Sequence, residues 1–194
     1  MRHWLVRVWL LLGTTTVAQA QDFPSGAHCV AWRTQKTMFL FSKETPVGMN
    51  CNVQTELRSE GEQRILEAVI PIRGFDSKDA DRDADVFALL KGPQQADLLF
   101  RSETLSTDRL IGLSKEGGQV KGQLTIGGKA YPVIFTLRTE LVNEALVFHG
   151  TFQGKFSQFD LEAPRVAAGV IAKVADRLEL LFQFQKSEVK GWNF

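Results

Sequence analysis

Four aspartates on strict alternation, Asp79, Asp81, Asp83 and Asp85 in the stretch DSKDADRDADVF, are the residues of this chain that most invite chemistry. Oxygen ligands at every second position are the spacing of a calcium loop. Such a loop starting at Asp79 needs glycine at its sixth position for the sharp turn and glutamate at its twelfth for bidentate ligation. The sequence places Ala84 and Leu90 there. On a helix, where each residue turns the chain by 100°, alternate carboxylates diverge rather than converge. The stretch therefore reads as the acidic, solvated start of a helix, with Asp79 or Asp81 as its cap.

The soft ligands His28, Cys29, Met49 and Cys51 form the second candidate group. They would suit copper or zinc if residues 29 and 51 were neighbours. The same two cysteines, the only ones in the chain, also suit a single disulfide in an exported protein. A bridge would close a loop of roughly 20 residues and contribute about 3 kcal/mol. Two reduced thiols used as small core residues are the remaining alternative.

Catalytic motifs are scarce. The sequence contains no G-x-S-x-G elbow, phosphate-binding loop, dinucleotide glycine pattern or H-E-x-x-H. Beyond residue 20 its histidines are His28 and His149, and His149 falls on the polar phase of a strand. No enzymatic activity is expected. The charge is nearly balanced, 23 basic against 22 acidic residues, which offers no electrostatic footprint for nucleic acid or anionic lipid.

The elements that must position any site alternate with period two. Leu178, Leu180, Phe182 and Phe184 share one face of LELLFQFQ; Leu146, Phe148, Phe152 and Phe156 share one face of LVFHGTFQGKF; Val133, Phe135 and Leu137 share one face of PVIFTLRTEL. Further strands are expected at 37–43, 50–59, 64–73, 97–106 and 119–127. Eight antiparallel candidates predict an all-β sandwich or closed barrel. One helix, about residues 81–91, interrupts them, with apolar residues at three- and four-residue spacing and Gly92-Pro93 as its stop.

The first twenty residues read as a signal peptide. Arg2 and Arg7 precede the apolar run Val8 to Leu12, and Ala18-Gln19-Ala20 gives the small-x-small cleavage pattern. Residues 21–194 are then expected to form one exported domain without a membrane span.

Three stretches carry a resemblance. GFDSKDADRDADVFALL followed by ADLLFRS pairs a strand end with a helix bearing Arg82-Asp83; VKGQLTIGGKAYPVIFTL holds a Gly-x-Leu-Thr-Ile-x-Gly turn; FSQFDLEAPRVAAGVIAKVADRLELLFQF joins Ser-x-Phe-x-Leu to a final strand. In this order, over roughly residues 64–185, they resemble the YceI-like family of periplasmic, lipocalin-type proteins. The resemblance implies an eight-stranded antiparallel lipocalin-like barrel with a helix inserted after the third strand, and an apolar tunnel for a polyisoprenoid chain such as a quinone tail. It also implies a structural role for Arg82 and Asp83, such as an ion pair tying helix to barrel. The chain departs from the family pattern at Asp160, where glycine is usual, at Asp85, where histidine is frequent, and in its cysteine pair.

Fourteen phenylalanines against one tyrosine suit either a packed core or a hydrocarbon pocket. The candidate lining is Phe100, Phe135, Leu137, Phe148, Phe152, Leu180 and Phe182. The leading expectation is a periplasmic carrier or scavenger of an isoprenoid or similar apolar lipid, with no cofactor and a homodimer compatible with the sequence. The alternatives are a thiol or soft-metal module and a filled barrel acting as a stress or interaction protein.

Overall fold

A computed structural model describes residues 23–38, 43–166 and 172–193. The expected signal peptide, and residues 39–42 of the first expected strand, lie outside the described residues. Eight longer strands carry the fold: β1 (Cys29–Met38), β4 (Gln54–Glu60), β5 (Gln63–Pro71), β6 (Asp97–Ser102), β7 (Gly118–Ile126), β8 (Lys129–Val142), β9 (Ala145–Gly154) and β11 (Ala172–Gln185). Three short segments, β2 (Lys43–Glu44), β3 (Val47–Asn50) and β10 (Arg165–Val166), attach at the side of β1 and β11.

The main sheet runs β2-β1-β11-β9-β8-β7-β6-β5-β4, with antiparallel neighbours throughout. The all-β, antiparallel expectation holds. Among the described residues the ladder does not close on itself by strand pairing, so the short strands β2 and β3 beside β1 form one end and β4 the other. Two short bridges span the gap. Met49 on β3 exchanges backbone hydrogen bonds with Asp76, at 3.0 and 2.8 Å, beyond the end of β5. At the opposite end Lys190 accepts from Leu57 N–H at 2.7 Å and donates to Thr55 C=O at 3.1 Å, so the C-terminal tail covers the free edge of β4. Gly191 makes this docking possible: its φ is +76°, and a Cβ there would stand 2.5 Å from the Leu57 carbonyl oxygen.

The sequence expectations need two corrections, at the first strand and after β6, while the inserted helix stands where it was expected. The first strand starts at Cys29 rather than residue 37, because CVAWRTQK pairs with β11 along its length. The inserted helix α1 spans Ala80–Leu89, with Asp79 as its cap, accepting from the Arg82 N–H at 3.1 Å. A second helix, α2 (Thr107–Glu116), follows β6 where the strand was expected to run on to residue 106. Ser106 caps it by accepting from Arg109 N–H at 3.2 Å, Leu110 and Leu113 bury its inner face, and Gly117 ends it at φ +71°.

Candidate functional site: adjoining apolar chambers inside the barrel

The inward phases of the strands enclose the core, and that core is not filled. Three adjoining chambers run along the interior. The widest, about 270 Å³, lies beneath α1 and is walled by residues such as Trp32, Leu98, Leu124, Phe159, Leu178 and Leu180. A middle chamber of about 70 Å³ shares Trp32, Phe75, Leu98, Leu124 and Leu180 with it. An inner chamber of about 20 Å³ shares Leu66, Val120, Phe182 and Phe184 with the middle one. Val189 and Trp192 of the C-terminal tail border that inner end.

Helix α1 roofs the wide chamber because its loop is tied down locally. Asp83 accepts from the Ser77 N–H at 3.0 Å and from its hydroxyl at 2.5 Å. Arg82 donates from Nε to Ser77 Oγ at 2.8 Å and from its guanidinium to Ser77 C=O at 2.5 Å. Both residues therefore clamp Ser77 instead of forming an ion pair from helix to barrel. The Arg73 guanidinium sits 4.0 Å over the Phe87 ring and fastens the same helix from the side. Val86, Leu89 and Leu90 turn toward the chamber, while Lys36, Asp79, Asp81, Arg82 and Asp85 make a polar rim. The aspartate run is thus a cap, a clamp and part of a rim.

The residues expected to line the interior divide by depth. Phe100, Phe135, Leu180 and Phe182 border the middle chamber; Leu137, Phe148 and Phe182 border the inner one. Phe152 borders none of the three, packing between Phe135 at 6.0 Å and Phe159 at 5.8 Å. Phe135 gathers Phe100 and Phe182 at 5.7 and 5.2 Å into an aromatic girdle. Phe100, Phe152, Leu180 and Phe182 belong to the core yet stay only half-buried. Most of the wide chamber's wall, Trp32, Phe75, Phe156, Phe159 and Leu178 among it, was not singled out from the sequence. Two of these residues, Phe156 and Leu178, stood on phases already read as inward-facing.

The cysteine region is settled by geometry. Cys29, at the start of β1, and Cys51, just past β3, form a disulfide with Cα atoms 4.1 Å apart. No thiolate remains for metal binding or thiol chemistry there. His28 lies against Phe184, ring centroids 4.6 Å apart, with Nε2 3.0 Å from Thr55 Oγ1. Burial holds its imidazole below the ordinary value, while Glu188 pulls the other way. His149 faces Glu140 at 3.4 Å on β8, and burial likewise lowers its pKa.

Asp160 closes the 3-10 turn Phe156–Phe159 in the left-handed conformation, φ +52°. That is a backbone position glycine adopts at least cost, and aspartate is among the few other residues that tolerate it. Its carboxylate accepts from Lys129 Nζ and, at 3.2 Å, from the Tyr131 hydroxyl. Those hydrogen bonds, the Lys129 contact foremost, hold it below the usual carboxylate range.

Comparison with known proteins agrees with this architecture. The family described as the YceI-like domain matches residues 30–186. Among solved structures, BcnA of Burkholderia cenocepacia superposes with a TM-score of 0.57 at 18% identity, covering 80% of this chain and 94% of that one. A polyisoprenoid binding domain from Saccharophagus degradans, implicated in plant cell wall breakdown, gives a TM-score of 0.57 at 10% identity, covering 79% and 91%. No curated protein sequence matches the chain.

Proposed function

The chain belongs to the YceI-like domain family, and from that membership we propose that it is a periplasmic binding protein, not an enzyme, that sequesters or carries a polyisoprenoid or similar long apolar chain inside its barrel. The observation that carries this reading is the run of three adjoining apolar chambers from the rim beneath α1 to the Trp192 end. The widest alone approaches the ~300 Å³ at which ligand pockets begin. Each methylene moved from water into such a space contributes about 0.8 kcal/mol, so a few isoprene units offset the freedom lost on binding.

The fold shared with a polyisoprenoid binding domain supports the ligand class. Arg2, Arg7 and the Ala18-Gln19-Ala20 pattern support export, and the Cys29–Cys51 bridge suits an oxidising compartment. The disulfide removes the support for a thiol or soft-metal module. The open interior speaks against a filled barrel. The reading is indifferent to whether the barrel acts alone or as a homodimer.

Organic extraction of natively purified protein, followed by mass spectrometry, tests it. A co-purifying isoprenoid or comparable apolar lipid is the expected result. If none is extracted and added prenyl chains do not bind, the reading is lost.

A further inference from the structure

We propose that the Trp32 indole N–H is the donor inside the channel that selects ligands carrying an uncharged acceptor oxygen, a carbonyl or an ether, at the junction of the wide and middle chambers. The inference rests on the apolar-chain reading and adds the polar feature the chain must bear.

Trp32 borders both chambers and is 7% exposed. Its indole lies across Gly48, its cross-strand partner on β3: a Cβ at Gly48 would stand 2.4 Å from Nε1 and 2.5 Å from Cε2. Glycine at that position gives the ring its place against the wall. Among the described residues Nε1 has no hydrogen-bond partner, although a buried donor normally finds one. Every other residue bordering the middle chamber has an apolar side chain. A lone water there would find few of the roughly three partners that buried waters take. Nε1 itself is shielded in the channel, so an acceptor arriving with the ligand reaches it as the ring shifts on Gly48, and resolves the donor without adding polarity to the wall.

The other side-chain donors bordering the wide and middle chambers are already engaged. Thr34, two residues along β1, borders the wide chamber but donates its hydroxyl to Arg177 C=O at 2.6 Å. Lys36, at the rim, pairs with Glu44 at 3.4 Å, and Arg82 is held by Ser77 and Asp79. At about 3.3 Å per residue, Trp32 stands roughly 13 Å inward of Lys36 along β1. The selected oxygen is therefore carried into the barrel, not left at its mouth. A charged head group is disfavoured at that depth, because the apolar wall offers nothing to replace its hydration.

Calorimetric titration with a short-chain prenylated benzoquinone and with squalene, which has no acceptor, separates the two contributions. In Trp32→Phe the aromatic ring stays over Gly48 and the N–H is gone. Quinone affinity is expected to fall about tenfold, the size of one lost hydrogen bond, with squalene affinity unchanged. On ¹⁵N-labelled wild-type protein the Trp32 indole signal should move downfield with the quinone and not with squalene. That measurement stands even if the variant fails to fold. Equal losses for both probes, no loss for either, or an indole signal unmoved by the quinone overturns the inference. If the wild-type protein binds neither probe, the apolar-chain reading falls and takes this one with it.

Discussion

Trp192 stacks on Phe148 with ring centroids 4.7 Å apart and planes 23° from parallel. Trp192 thereby packs the C-terminal tail against the inner chamber, on a strand from the middle of the sheet. The neighbouring Lys190 covers the free edge of β4. The tail thus borders the inner chamber and straps the edge strand, and it lies beyond residue 186, where the family match ends.

Trp192→Ala should remove that packing. A large aromatic truncated in a core costs about 3–5 kcal/mol, and because Trp192 is only half-buried the expected loss is nearer ~2 kcal/mol. Urea unfolding monitored by circular dichroism measures it. A midpoint equal to wild type would show that the tail contributes nothing to the closure of the barrel.

Reduction of the Cys29–Cys51 bridge should lower stability by about 3 kcal/mol, the effect of releasing a loop of this length in the unfolded chain. The channel walls contain neither sulfur, so ligand affinity should survive. Guanidinium titrations of the native protein and of a Cys29→Ser, Cys51→Ser double variant give the comparison. Native protein that reacts with a thiol reagent under denaturing, non-reducing conditions contradicts the bridge.

Gly150→Ala should disturb the girdle from outside it. The Phe182 ring lies over Gly150, and an added Cβ would come within 2.0 Å of it. The ring must swing into the channel, at a cost of about 1–3 kcal/mol, and the space between middle and inner chambers narrows. Loss of affinity for long prenyl chains with retention of short ones is the expected pattern. An unchanged chain-length profile would place the ligand elsewhere.

Stability should fall between pH 7.5 and pH 5.5. Burial lowers the pKa of both His28 and His149 in the folded state. The unfolded chain then binds more protons, so this stability is fully present above about pH 6.5 and is lost as the pH drops toward the folded values. The hydrogen-bonded carboxylates of Asp76, Asp160 and Asp176 are lowered too, and their contribution is lost only as the pH falls below about 4. Melting temperatures at pH 7.5, 6.5 and 5.5 check the first window, and His28→Asn should flatten part of the slope. A melting temperature that rises on acidification rules the argument out.

Much of the architecture could be read directly from residue order. Period-two alternation placed β7, β8 and β9 within a few residues of their ends, since a strand with one buried face must show that rhythm. The capped acidic start and the Gly92-Pro93 stop located α1. Helix α2 was legible but missed: Ser106, the Leu110 and Leu113 pair and Gly117 are its cap, buried face and stop. The start of β1 was harder, because CVAWRTQK alternates poorly and is a strand chiefly through its pairing with β11 and β3.

The candidate site shows where local pattern stops. Alternation says that Phe135, Phe152 and Leu180 can share an interior, but not which of them meet. Depth along the barrel depends on register between strands far apart in sequence, such as Leu180 opposite both Trp32 and Phe152. The sequence by itself determined an antiparallel all-β fold, its inserted first helix and an abundance of phenylalanine on the inward phases, because these follow from side-chain periodicity and capping chemistry; the choice of barrel over sandwich came from the family resemblance. Only the tertiary structure decided that the cysteines bond, that the tail borders the inner end, and that the Trp32 indole N–H is buried without a hydrogen-bond partner among the described residues. Each of those depends on distances between segments that the chain brings together only by folding.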